Sequence, residues 1–124
     1  MTDTNNILLY VTNPATSAQF YAGLFGSEPV EVSPTFVLFV LPSGLALGLW
    51  GKTGVEPAPT TSGGGCEIGF KVKGRNAVDA THAEWQAKGA AIALPPTELD
   101  FGRSFVAVDP DGHRLRVYAL TEEM

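Results

Sequence analysis

The side chains able to do chemistry are few and scattered. The chain has one cysteine and two histidines, Cys66, His82 and His113. A thiol becomes a strong nucleophile when a basic neighbour lowers its pKa, and Cys66 precedes an apolar strand pattern with no basic residue beside it. His82 falls in a helical pattern with no partner in the sequence, which reads as packing or solvent contact. His113 follows the turn glycine Gly112 and reads as exposed. Asp109 and Asp111 look like the paired carboxylates of acid–base catalysis, but Asp-Pro-Asp-Gly is a turn sequence. The run "SGGGC" has the glycines of a phosphate loop but lacks the Lys-Ser/Thr and the helix that such a loop needs. What remains is Arg116, a guanidinium set among the alternating apolar residues of "LRVYAL". A half-buried strand has no evident use for that charge unless something answers it.

The elements that position these residues come in two similar sets. "NNILLYVT" reads as a strand over 6–12. Asn13 can cap a following helix, Pro14 suits its first position, and Gly26 can end it in the left-handed conformation. Phe20, Leu24 and Tyr21 would form its apolar face. "EPVEVS" is a short strand, and "TFVLFVLPSGLALGLW" is a hairpin around Pro-Ser-Gly. The stretch 51–65, "GKTGVEPAPTTSGGG", is dense in turn formers and reads as a linker. The order then repeats. "CEIGFKV" is a strand, and "NAVDATHAEWQAKGA" is a helix with Val78, His82 and Trp85 on one side, ending at Gly89. "AIALPP" is a short strand or extended edge stopped by its prolines. "RSFVAVDPDGHRLRVYAL" is a second hairpin, turning at 109–112.

The fold class expected is α+β, with two βαβββ modules forming curved mixed sheets around a cleft. One domain covers 1–124, with modules at about 6–50 and 66–120. A helix on one face of each sheet leaves the other face free for a small ligand.

Composition excludes several functions. With 44% hydrophobic and 17% charged residues the chain is globular. A formal net charge of −5 offers no basic face for nucleic acid. A single cysteine permits neither an intrachain disulfide nor a cysteine-based zinc site. "MTDTNNILLY" lacks the basic and apolar segments of a signal peptide. No apolar run approaches the roughly 18–20 residues of a membrane span. A cytoplasmic location and no membrane partner are the default expectations.

"YVTNPATSAQFYAGLFG" and "VDPDGHRLRVY", set in this duplicated order, make residues 6–120 resemble the glyoxalase, bleomycin-resistance and extradiol-dioxygenase (vicinal oxygen chelate) superfamily. Within it, "SPTFVLFVLPSGLALGLWG" and "FGRSFVAVDPDGHRLRVYAL" are similar to small resistance proteins that sequester phenazine-type antibiotics. The resemblance implies the βαβββ fold, a cleft and homodimers with clefts built partly from the partner chain. It also identifies four metal-ligand positions, which fall here at Asn6, Gly48, Glu67 and Arg116. Only Glu67 is a credible ligand. Glycine offers no side chain, and arginine stays protonated and repels a cation. No metal and no other cofactor is therefore expected, nor any catalytic residue. Two positions that share one ion in a metal-binding relative should bring Glu67 and Arg116 together as a salt bridge.

Strand alternation extends the set. If Gly48 faces the cleft, so do Ala46 and Trp50, and an aromatic matching Trp50 stacks on the ligand in the antibiotic-binding relatives. Phe39 and Val37 should face inward on the preceding strand, Leu8 and Tyr10 with Asn6 on the first, and Tyr118 with Arg116 on the last. Ser104 faces in as a hydrogen-bond donor, and Arg103, one residue off, would guard the rim. A one-residue slip inverts any of these. The ligand-binding residues expected are thus Trp50, Phe39, Tyr10, Glu67, Arg116, Ser104 and Tyr118. They suit non-catalytic sequestration of a planar aromatic or apolar small molecule. The alternative is a metal-dependent lyase or transferase of the same fold.

Overall fold

The computed structural model describes residues 6–123. The chain divides between Ser62 and Gly63 into two compact units, each with one four-stranded mixed sheet and one helix of three turns or more. The fold is α+β, as expected, and neither sheet closes into a barrel.

The first unit runs β1 (Asn6–Val11), α1 (Pro14–Phe25), β2 (Glu31–Val32), β3 (Phe36–Val40) and β4 (Ala46–Gly51). The sheet order is β1-β4-β3-β2, with β1 parallel to β4 and the other pairs antiparallel. Asn13 starts α1 by accepting from the N–H groups of Ala15 and Thr16 at 3.0 and 3.3 Å, which satisfies two donors that a helix start leaves open. Gly26 stops it at φ 65°, and its N–H donates to the Ala22 carbonyl at 2.9 Å. The buried face is Pro14, Ser17, Tyr21 and Leu24, a spacing of three and four residues. Phe20 lies beside that stripe, half-buried and edge-on to Tyr21. Gly44, at φ 92°, closes the β3–β4 turn by donating to Leu41. A 3-10 turn at Lys52–Gly54 carries regular structure into the stretch that reads as linker.

The second unit runs β5 (Glu67–Lys71), α2 (Arg75–Ala87), β6 (Ala91–Leu99), β7 (Gly102–Val108) and β8 (Arg114–Leu120). Its order, β5-β8-β7-β6 with β5 parallel to β8, repeats that of the first unit. Here one sequence expectation fails. Pro95 and Pro96 do not stop β6, which continues to Leu99. The strand lies at the sheet edge, where a missing N–H need not cost a ladder bond. Two register shifts, between Ile92 and Leu94 and between Leu94 and Thr97, absorb the irregularity.

Asp109 organises the turn that launches β8. Its carboxylate accepts from the N–H groups of Asp111 and His113 at 2.9 and 2.8 Å, and its carbonyl accepts from Gly112. The two aspartates are therefore turn residues.

Each sheet has a helix-covered face. Val37, Phe39, Leu47 and Leu49 fill it in the first unit, with α1 on β3 and β4. In the second, Phe105 and Phe70 meet Trp85 of α2 edge-on, with centroids 5.6 and 5.7 Å away. His82 packs on Phe105 in the same way. Among the described residues no helix is long and apolar enough to cross a membrane.

Candidate functional site

The uncovered face of the second sheet carries the site. Register places Glu67, Gly69, Arg116, Tyr118, Ser104 and Val106 on that face. Arg116 stands opposite Gly69 on β5 and Val106 on β7, so its head reaches along both diagonals. On one side Nε donates to Glu67 Oε1 at 2.6 Å; on the other Nη1 donates to Ser104 Oγ at 3.0 Å. The guanidinium among apolar residues is thus answered by a carboxylate and a hydroxyl. Glu67 and Arg116 meet as expected. Ser104 is fully buried and its hydroxyl oxygen accepts from Arg116, so it holds Arg116 in place.

The pair is only partly buried. The side chains keep 21% and 37% of their exposure, Arg116 and Glu67 respectively. Breaking a fully buried pair costs about 3–5 kcal/mol. Solvent screening brings this one nearer to 1 kcal/mol.

Beside the pair is a pocket of ≈ 300 Å³ lined by Glu67, Leu99, Phe101, Arg116 and Tyr118. Leu99 and Phe101 escape the sequence reading because that reading ends β6 at its prolines. The signal that could have found Phe101 is an aromatic directly before a turn glycine in "LDFGRS". Gly102 sits at φ 151°, and a Cβ there would lie 1.9 Å from the Ala119 carbonyl oxygen. Only glycine lets the β6–β7 turn press this close to β8. The Phe101 carbonyl is tied to Thr121 N–H at 2.9 Å. The Phe101 ring meets Tyr118 edge-on, with centroids 6.3 Å apart. Tyr118 leans over Gly69, where a Cβ would stand 3.3 Å from its ring. The result is two aromatic walls and one polar end.

In the first unit, Tyr10 and Trp50 share the uncovered sheet face, edge-on at 6.2 Å. Phe39 does not join them. It lies on the opposite face against Phe25 of α1, fully buried, with Val37 on the same side. The register pairs Trp50 with Phe36 and Gly48 with Leu38, so the expectation for Phe39 and Val37 was one residue out of phase. Nor does Gly48 leave an empty space. A Cβ there would meet Leu8 at 2.7 Å and Phe36 at 2.8 Å, so apolar side chains fill the place of a ligand. Arg103 points to the helix side, where Nε donates to Asp79 at 2.8 Å and Nη1 to Glu98 at 3.3 Å. It clamps α2 to the sheet and does not guard a rim.

These residues do not fit a divalent ion. Within the first unit Gly48 has no donor and no room for one, and within the second Arg116 holds Glu67 through a charge-assisted bond.

The comparisons agree with this picture of the fold. The family model described as "Glyoxalase/Bleomycin resistance protein/Dioxygenase superfamily" matches residues 4–117. The phenazine antibiotic resistance protein EhpR of Enterobacter agglomerans is 36% identical over 119 residues, covering 91% of this chain and 88% of that protein. The solution structure of protein ATC0852 from Agrobacterium tumefaciens is 50% identical, with a TM-score of 0.89 over 98% of this chain and 99% of its own. A glyoxalase-related enzyme from Fulvimarina pelagi shares the fold, with a TM-score of 0.84 at 22% identity over 96% of this chain and 88% of its own.

Proposed function

The chain belongs to the Glyoxalase/Bleomycin resistance protein/Dioxygenase superfamily, and from that premise we propose that it sequesters a planar aromatic or apolar small molecule without converting it, and so protects against an antibiotic. The observation that carries this reading is the Glu67–Arg116 pair beside two aromatic walls. Arg116 and Glu67, the two charged groups of the pocket, bind each other, which leaves its polar end without net charge. Flat rings gain about 0.5–1.5 kcal/mol from aromatic contact beyond the area they bury. A volume of ≈ 300 Å³ is at the small end of ligand pockets, which run from about 300 to 1,000 Å³. The relative EhpR is a phenazine antibiotic resistance protein, which supports a phenazine as the first guest to try. Tyr10 and Trp50, on the helix-free face of the first unit's own sheet, are assigned as a separate aromatic contact surface. The assembly that goes with this reading is a cytoplasmic homodimer.

Isothermal titration of the purified protein with phenazine-1-carboxamide tests the proposal. Saturable binding of one molecule per chain is expected, with the compound recovered chemically unchanged. Phe101→Ala should weaken it roughly tenfold, the loss of one stacked wall. Trp50→Ala tests the first-unit ring pair separately, through loss of Trp50 fluorescence quenching by the compound. Turnover of the compound that depends on an added divalent metal would instead establish the lyase or transferase alternative and overturn sequestration.

A further inference from the structure

We propose that the second-unit pocket selects its guest by charge, preferring a planar molecule whose edge both accepts and donates a hydrogen bond while remaining neutral, as a ring carboxamide does, over the matching carboxylate. The inference rests on the sequestration reading and names the ligand class of that same site.

The argument starts from what the ion pair leaves unused. Arg116 spends Nε on Glu67 and Nη1 on Ser104, and among the described residues its Nη2 has no partner. Glu67 spends Oε1 on Arg116, and its Oε2 likewise has no partner. Both residues line the pocket. Beside the Tyr118 hydroxyl, which can donate or accept and so serves either kind of guest, the pair therefore offers one donor and one acceptor whose charges cancel. A primary carboxamide answers both, its carbonyl accepting from Nη2 and its N–H donating to Oε2. A carboxylate can accept from Nη2 and from Tyr118 but has no hydrogen to give Glu67 Oε2. It also brings a second anion up to a guanidinium that is already compensated, within reach of Glu67.

Other cations near this face do not remove that repulsion. Lys71 is taken by Glu123 at 2.8 Å. Arg114 stands opposite Glu67 in register but is exposed, lies outside the pocket lining and makes no ion pair among the described residues, so solvent and salt screen it. Glu67 is thus a specificity-determining residue. A like-charge contact at a half-exposed site is worth about a tenfold change in affinity.

The test is isothermal titration at pH 7.5 and fixed ionic strength, using phenazine-1-carboxamide and phenazine-1-carboxylate as the matched probes. The wild-type protein should bind the carboxamide about tenfold more tightly. Glu67→Gln keeps an oxygen for Arg116 but frees its charge, so carboxylate binding should strengthen about tenfold and the preference should vanish or reverse. Glu67 is exposed at a strand start, so folding should survive, as circular dichroism would register. A wild-type preference for the carboxylate, or a ratio unmoved by Glu67→Gln, overturns the selectivity and leaves sequestration standing. Failure of both probes to bind overturns sequestration and the selectivity with it.

Discussion

Arg116 meets neighbours that the sequence names only in part. The Glu67 contact is foreseeable because the resemblance maps both residues onto positions that share one ion in metal-binding relatives. The Ser104 contact is not, because it depends on the β7–β8 register, which no local pattern specifies. The same limit explains Phe39. In "TFVLFVLP" every position from 36 to 40 is apolar, so alternation cannot choose a face, and α1 decides it through Phe25. Arg116→Met removes the ion pair but leaves Glu67 partly solvated. Its cost should be about 1 kcal/mol, a fall in Tm of roughly 2–4 °C by differential scanning calorimetry. A drop of 10 °C or more would mean that the pair supports the fold far more than its exposure allows.

At the scale of elements, capping and turn chemistry were largely legible. Asn13, Pro14, Gly26 and the Asp109 turn act as their types suggest. Illegible features come from packing between elements, such as the passage of β6 through two prolines and the approach of Gly102 to Ala119. Ser17 of α1 is another. It is buried on the face against the sheet, and its hydroxyl has no hydrogen-bond partner among the described residues. Ser17→Ala removes that unsatisfied group and improves helix propensity, so it should raise stability by about 1 kcal/mol in urea denaturation. A lower midpoint would show that the hydroxyl is satisfied in solution. Between α2 and β6 lies a charged lattice. Hydrogen bonding from Arg75, with help from Arg103, holds the Glu98 carboxyl below its usual range against the effect of desolvation. A carboxylate with a depressed folded pKa stabilises above its unfolded value and loses that contribution as pH falls through the folded one. The Tm difference between wild type and Glu98→Gln should therefore be present at neutral pH and shrink on acidification. A difference independent of pH would remove the ion-pair explanation.

Across the whole molecule, the repetition of strand, helix and three strands was readable because each glycine-ended helix follows its strand at a similar distance. The sheet orders β1-β4-β3-β2 and β5-β8-β7-β6 repeat it in three dimensions. Function was less readable, because a pocket is a product of register and turn geometry rather than of composition. Under sequestration, protection is set by the count of chains. Cells titrated for expression should tolerate antibiotic in linear proportion to protein abundance, and denaturing the complex should return the drug intact. Tolerance that saturates at trace expression would instead require turnover. Such a defence works only if the polypeptide can accumulate to high levels without clumping, and the prolines of β6 bear on that. A sheet border ordinarily invites a stray strand to zip onto it. Pro95 and Pro96 take two amide hydrogens out of this edge strand, and the register shifts beside them break its regular spacing, so the border is a poor template for the runaway pairing that crowding encourages.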